Sequence, residues 1–491
     1  MICQITNPTK MIETLASLII KDGTDLSDVL VFVPTRRAGR KLEKFLSDKF
    51  DGAAIMPKIV GLGEGDDSAD DTDAAGKTER KIILAKILLS VADKIGVPCS
   101  FGGALSVAGE LLVLQDYLEN DGIDARDIDW NNMIPDERKA AFLNLLKNVD
   151  IGPTATQVRN NGIRNWKNHL SEYRSVFCCG STASVKPTRD LMDEIARMPN
   201  GYVILPGLVS DSNDIGRADP YWSVKKFLAG RKIETIDVGG AEKMTFFNNC
   251  FNNDLSGKTL KGPENIIQID CDTESEEAAS VAMVSAMAKA SGQSVLIITP
   301  DVSGEQRIKA ALSGYGLSAD SSGGVPLSQT QIGRFSGLVF DYLNGDENRD
   351  VIAADLRQIV GAKNIAVLDK LKYDGNLFDF LITAANKLNY EIGDIATAEV
   401  FFDKVLELSN MAEKYGLDFS DVSSVFSEVM KSETVRAPMS DDYDVAILGT
   451  AEARMQTADV VILTGLNDGM FPSDGFRHSW LPRNIARKIG L

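Results

Sequence analysis

The stretch Asp444–Pro472, DVAILGTAEARMQTADVVILTGLNDGMFP, decides how the chain is read. Val445–Leu448 and Val460–Leu463 are short β-branched apolar runs, a pattern that predicts two buried strands. The polar connector Gly449-Thr450-Ala451-Glu452-Ala453-Arg454-Met455 separates them, and a turn-rich Gly465-Leu466-Asn467-Asp468-Gly469 follows. Strand, polar loop, strand and glycine-rich loop suit a doubly wound parallel sheet, whose sites lie beyond the strands' carboxyl ends. An ordinary α/β core edge without a site would carry the same pattern.

Moving outward, similar apolar runs at Cys3–Thr6, Val29–Val33, Ser175–Cys179 and Tyr202–Leu205 predict the strands of one sheet. Ile266–Ile269 and Val295–Thr299 predict the start of a second. Helical periodicity fills Thr78–Tyr173, broken at Pro98, Pro135 and Pro153, and returns over Glu347–Lys431. The expected fold class is α/β, with two parallel-sheet domains that each carry a helical insertion. The expected boundaries are 1–65 with 174–250 for the first sheet domain and 66–173 for its insertion. The second sheet domain takes 264–345 with 440–491, and its insertion 346–439. Asn248–Pro263, rich in Asn and Gly, reads as the linker.

Composition narrows the function classes. The chain has 491 residues, 44% hydrophobic and 25% charged, as ordinary globular proteins do. Its net charge of −18 argues against coating nucleic acid through bulk charge, yet leaves room for a local basic groove. Six cysteines without CxxC spacing argue against a standard zinc site and for reduced thiols, with adjacent Cys178 and Cys179 as core residues. With no apolar leader and no run of membrane-spanning length, a cytoplasmic protein without membrane contact is expected. Only His169 and His478 are present, so triad or His-rich metal chemistry has little to work with. The acidic run Glu64–Gly76 fails calcium-loop spacing and reads as a surface loop.

The sequence contains no complete P-loop. Asn7-Pro8-Thr9-Lys10 stands where a P-loop would, between a strand and a helix, but no glycine occurs from Met1 to Asp22. Asn7, Thr9 and Lys10 therefore make a degenerate nucleotide site at most. Gly76-Lys77-Thr78 and Gly257-Lys258-Thr259 lack the first glycine of the motif. Val176-Phe177-Cys178-Cys179-Gly180-Ser181 ends without the carboxylates that would hold magnesium. By contrast, Pro34-Thr35-Arg36-Arg37-Ala38-Gly39-Arg40-Lys41 places four cations in six positions at a helix start, against the helix dipole. Either this is a solvated basic face or it is a phosphate-contacting loop. Trp130, Trp166 and Tyr173 read either as base-stacking rings or as helix-packing aromatics.

Several of these segments resemble one family. LTGLNDGMFP (Leu463–Pro472) resembles the segment that follows motif V in UvrD-like superfamily 1 helicases. Gly449–Pro472 is more similar to AddB proteins of the alphaproteobacterial type, the helicase-like nuclease subunits of AddAB recombination complexes. VFVPTRRAGRKL (Val31–Leu42), MPKIVGLGEG (Met56–Gly65), GSTASVKPTRDLMDEIARMPNGYVILPGL (Gly180–Leu208) and ADSSGGVPLSQTQIGRF (Ala319–Phe335) resemble the same family in the same order. The resemblance implies two RecA-like domains. It also implies a helicase-like subunit that guides single-stranded DNA while an AddA-type partner drives the processing of broken double-stranded DNA.

Motif Ia of the helicases implies DNA contacts for Thr35, Arg36 and Arg37, with Arg40 in support. The second domain adds Arg334, with Arg307 as the other candidate for a DNA contact or an ATP arginine. Arg454, in the connector that replaces the helicases' His-Ser-x-Lys-Gly-Leu-Glu element, is expected to contact DNA as well. Family members continue into a PD-(D/E)XK nuclease, which implies magnesium and an iron–sulfur cluster. That nuclease is expected to be absent here, leaving no catalytic residue, metal or cofactor in this stretch. Two other readings stay open: an ATP-dependent helicase with an atypical P-loop, and a structural α/β scaffold.

Overall fold

The computed structural model describes residues 1–23, 25–50, 55–62, 73–149, 152–207, 221–240, 265–321, 323–345, 348–361, 364–435, 443–471 and 479–490. The chain is α/β and carries two parallel sheets. The first contains β1 (Ile2–Ile5), β2 (Val29–Val33), β3 (Lys58–Gly61), β4 (Ser175–Cys179), β5 (Gly201–Pro206) and β6 (Glu234–Ile236), in the order β3-β2-β4-β5-β1-β6. The second contains β7 (Val295–Ile298), β8 (Ala319–Ser321), β11 (Val445–Leu448) and β12 (Val460–Leu463), in the order β12-β7-β11-β8. Two short strands, β9 (Val325–Pro326) and β10 (Thr434–Val435), pair antiparallel where the chain leaves and re-enters the second sheet.

Helices cover both faces of the first sheet, so β2 and β4 are buried at every position. Val29, Val31, Val33 and Phe177 meet the helices Met11–Asp22 and Arg36–Lys49. Leu30, Phe32, Val176 and Cys178 meet Lys186–Arg197 and Trp222–Leu228 on the other face. Cys178 and Cys179 thus point to opposite cores, and burial pushes the Cys178 thiol up to about 12. Trp166 packs edge-on against Phe32 and Trp130 is fully buried, so both rings serve packing.

Two expected strands turn out differently. β12 forms, but as an edge strand, and Val461 and Leu463 stay half exposed, with no helix among the described residues covering them. Ile266–Ile269 pairs with no strand among the described residues, and Ile267 is 85% exposed. A short apolar run becomes a strand only where a sheet edge lies alongside in register. Conversely β3, β6 and β8 contain Lys58, Glu234 and Asp320, polar residues that edge or near-edge strands tolerate and periodicity does not flag.

The helical segments that interrupt the two sheet domains share one hydrophobic core. Leu105, Leu111, Leu118 and Trp130 from the first belong to the same cluster as Phe340, Phe401, Phe426 and Met430 from the second. The helices Phe101–Asn120 and Phe419–Ser432 pack directly, and Glu79 accepts from Lys414 Nζ and Tyr415 Oη at 2.7 Å on the rim. The helix Gln331–Asn344 joins this body through Phe335 and Val339. Residues 479–490 do the same: Leu481 and Ile485 are buried there, and Trp480 Nε1 donates to Glu110 Oε2 at 2.5 Å. Both segments thus contribute to the core of the helical body. The linker Asn248–Pro263, the acidic residues 64–72 and His478 lie outside the described residues.

Phe426, 1% exposed and 4.8 Å from the Phe340 ring, tests the shared core. Phe426→Ala should destabilise the helical body by about 3–5 kcal/mol. Hydrogen exchange should then accelerate in Phe101–Asn120 and Ile395–Tyr415 together. Loosening confined to Phe419–Ser432 would mean two separate cores.

Candidate functional site

A doubly wound sheet opens a crevice wherever neighbouring strands send their helices to opposite faces. That happens between β2 and β4. The chain after β2 turns at Pro34-Thr35 into Arg36–Lys49 on one face, and the chain after β4 turns at Gly180–Val185 into Lys186–Arg197 on the other. The connector between β11 and β12 of the second domain enters this crevice. Met455, at φ 60°, packs on the first core, and a Cβ at Gly180 would lie 2.6 Å from Met455 Sδ and 3.0 Å from Pro34 Cγ. Gly180 also sits at φ 76°, so both space and backbone require glycine there.

Arg454, next to Met455, lines a cavity of about 180 Å3 together with Arg159, Ser181, Thr182, Ser184 and Thr188. Burial lowers the guanidinium pKa of Arg454, and burial likewise lowers that of Arg159 against the opposing pull of Asp116 and Glu119. The Glu452 Oε2 and Gln456 Nε2 atoms of the same connector are buried without a protein hydrogen-bond partner.

The basic helix start divides into two stripes, because residues four apart share a helix face. Arg37 and Lys41 face the second domain: Arg37 Nη2 meets Asp320 Oδ2 of β8 at 2.9 Å, with side chains 19% and 10% exposed. Lys41 Nζ donates to Thr457 Oγ1 at 2.7 Å, and burial lowers its pKa against the opposing pull of Glu13. Arg36 and Arg40 form the exposed stripe. Thr35 is the helix N-cap; its buried hydroxyl accepts from the Ala38 N–H at 3.2 Å. Of the residues singled out from the sequence, Arg36 and Arg40 therefore keep an exposed cationic face, while Arg37 joins two domains and Thr35 shapes the turn. Lys41 and Asp320 were legible only as one more cation and one more acid.

A second crevice lies between β1 and β5, where Asn7–Lys10 forms one turn of 3-10 helix. A phosphate cradle needs free backbone N–H groups. Here Pro8 has none, Thr9 N–H donates to Asn7 Oδ1 at 3.2 Å, and Lys10 N–H donates to Asn7 O at 3.1 Å. Lys10 Nζ pairs with Glu13 at 3.2 Å, and Gly240 closes over Asn7, where a Cβ would lie 3.0 Å from Nδ2. The Thr9 and Lys10 N–H groups of this turn are thus already engaged by Asn7.

Arg334 is exposed on the helix Gln331–Asn344, within the helical body, and among the described residues no side-chain partner ties it to the crevice. Arg307 is engaged with Glu274 at 3.0 Å and Asp301 at 3.4 Å. Among the described residues, no group of three or more His, Cys, Asp and Glu could hold a metal ion, and no helix is long and apolar enough to cross a membrane. No protein-family model matches the chain, and no curated protein matches its sequence.

Two outcomes follow from this geometry. The pair Arg37 and Asp320 should be coupled: in a cycle of Arg37→Ala, Asp320→Ala and the double variant, urea unfolding should give a coupling of about 0.5–3 kcal/mol. Strictly additive losses would mean that the ion pair does not join the domains in solution. The purified chain should release no phosphate from ATP, with or without single-stranded DNA. DNA-stimulated release that disappears in Lys10→Ala would show that the Asn7 turn opens into a working cradle.

Proposed function

We propose that the chain is an inactivated, helicase-like subunit that guides single-stranded DNA, of the kind found in AddAB-type helicase–nucleases acting on broken ends. The observation that carries this reading is the exposed Arg36 and Arg40 stripe at the carboxyl edge of β2, in a chain of net charge −18. A chain this acidic repels DNA at long range, so a local cationic edge must supply the contact. Exposed guanidiniums suit sequence-independent phosphate contacts, which position a strand without reading it. The self-satisfied turn at Asn7–Lys10 favours guidance over ATP-driven movement. An AddA-type partner would supply the motor, and magnesium or an iron–sulfur cluster would belong to a nuclease outside this stretch. A cytoplasmic location fits that role.

The test separates the two stripes. Arg36→Ala/Arg40→Ala should weaken oligonucleotide binding similarly across sequences. It should also reduce the salt slope by about 1.4, since each single-strand phosphate contact contributes roughly 0.7. Arg37→Ala/Lys41→Ala should disturb the domain contact and leave that slope within about 0.7 of wild type. Unchanged affinity and slope in the first variant would leave a structural scaffold as the better reading.

A further inference from the structure

We propose that the cavity between Arg159 and Arg454 is a binding site for a single phosphate group. Three separate parts of the fold build it. Arg159 comes from the helix Ala155–Trp166, the hydroxyls of Ser181, Thr182 and Ser184 come from the turn after β4, and Arg454 comes from the second domain. No carboxylate is among the residues lining it. Arg159 and Arg454 therefore line a partly desolvated space that has no counter-charge among its lining residues, an arrangement that an anion relieves.

The wiring of the two arginines differs from that of their neighbours. Arg37, Arg189 and Arg307 each meet a carboxylate. Arg159 Nη2 instead donates to the neutral amides of Asn120 at 2.7 Å and Asn160 at 3.2 Å. Those contacts orient the guanidinium, and the acids that act on its charge, Asp116 and Glu119, are not among the residues lining the cavity. Arg454 has no side-chain hydrogen bond or ion pair among the described residues. Planar forks of this type match the geometry of a tetrahedral oxyanion.

The hydroxyl side is held in place before any ligand arrives. Ser181 Oγ accepts from the Ala183 N–H at 3.1 Å, and Arg189 Nη1 donates to the Ala183 and Ser184 carbonyls at 3.0 Å. Ala183 is kept at φ 53°, a conformation this bonding secures. The helix Lys186–Arg197 starts at the rim with no side-chain cap on its first turn, so its dipole adds to the attraction. At about 180 Å3 the cavity is smaller than the ~300–1,000 Å3 of sites that bury drug-sized ligands, which fits one phosphate rather than a whole nucleotide.

The phosphate could be free or part of a DNA backbone, and the experiment has an arm for each. Inorganic phosphate is titrated into the whole chain by calorimetry, at ionic strength held constant with chloride. Wild type should bind, Arg454→Gln should bind at least tenfold more weakly, and Arg36→Ala/Arg40→Ala should bind as wild type does. Thr188→Val, a change of similar shape at the cavity wall, should also weaken binding and serves if Arg454→Gln does not fold. Absence of binding by wild type, or equal binding by all variants, overturns the proposal.

The second arm uses an oligothymidylate, and it alone rests on the strand-guiding reading. Weaker oligonucleotide binding by Arg454→Gln assigns the phosphate to the strand; a loss confined to inorganic phosphate assigns it to the free ion. If phosphate binding depends on Arg454 while Arg36→Ala/Arg40→Ala leaves DNA affinity untouched, the cavity stands and the strand-guiding reading falls.

Discussion

Everything about the candidate site depends on one apolar core that the two halves of the chain build together. Each sheet domain sends out a helical segment, and the two segments bury Leu111, Leu118, Phe401 and Phe426 in a single cluster. Neither segment can leave that cluster without exposing large apolar area, at roughly 25 cal/mol per Å2. Because each is joined covalently to its own sheet, their union limits how far the sheets can separate. The ribbon of β9 and β10 stands at the root of one segment and steadies the exit. The crevice between the sheets is therefore a consequence of packing far from it.

Within the crevice, charge is distributed by helix geometry. Four cations adjacent in sequence separate into a stripe that holds the second domain and a stripe that faces solvent. Arg37 and Lys41 answer Asp320 and Thr457, and Thr35 is consumed as a cap. Arg454 and Arg159, more than 290 positions apart by numbering, reach one cavity without a carboxylate between them. A cation's role here is decided by what stands opposite it, not by its neighbours along the chain.

The Asn7 turn shows why a strand-to-helix junction at a switch point need not cradle a phosphate. Strand β1 and the helix Met11–Asp22 keep their positions at a switch point of the sheet. Without glycine, the turn contracts into a 3-10 helix whose N–H groups are satisfied internally. After β4, Cys179-Gly180-Ser181 leads into a loop whose Ser181, Thr182 and Ser184 line the cavity of Arg159 and Arg454.

The apolar runs at Val29–Val33, Ser175–Cys179 and Val445–Leu448 determined by themselves that the chain builds parallel sheets, because strands covered on both faces leave no polar alternation. The missing glycines at Asn7–Lys10 and the basic cluster at Arg36–Lys41 were equally legible, since both are local. Only the tertiary structure decided that Ile266–Ile269 finds no strand partner among the described residues, that residues 479–490 join the helical body, and that Arg37 meets Asp320 while Arg36 stays exposed. These outcomes depend on which distant surface arrives opposite a residue. Periodicity along the chain records which side of a helix or strand is apolar, and carries no information about the partner that covers it.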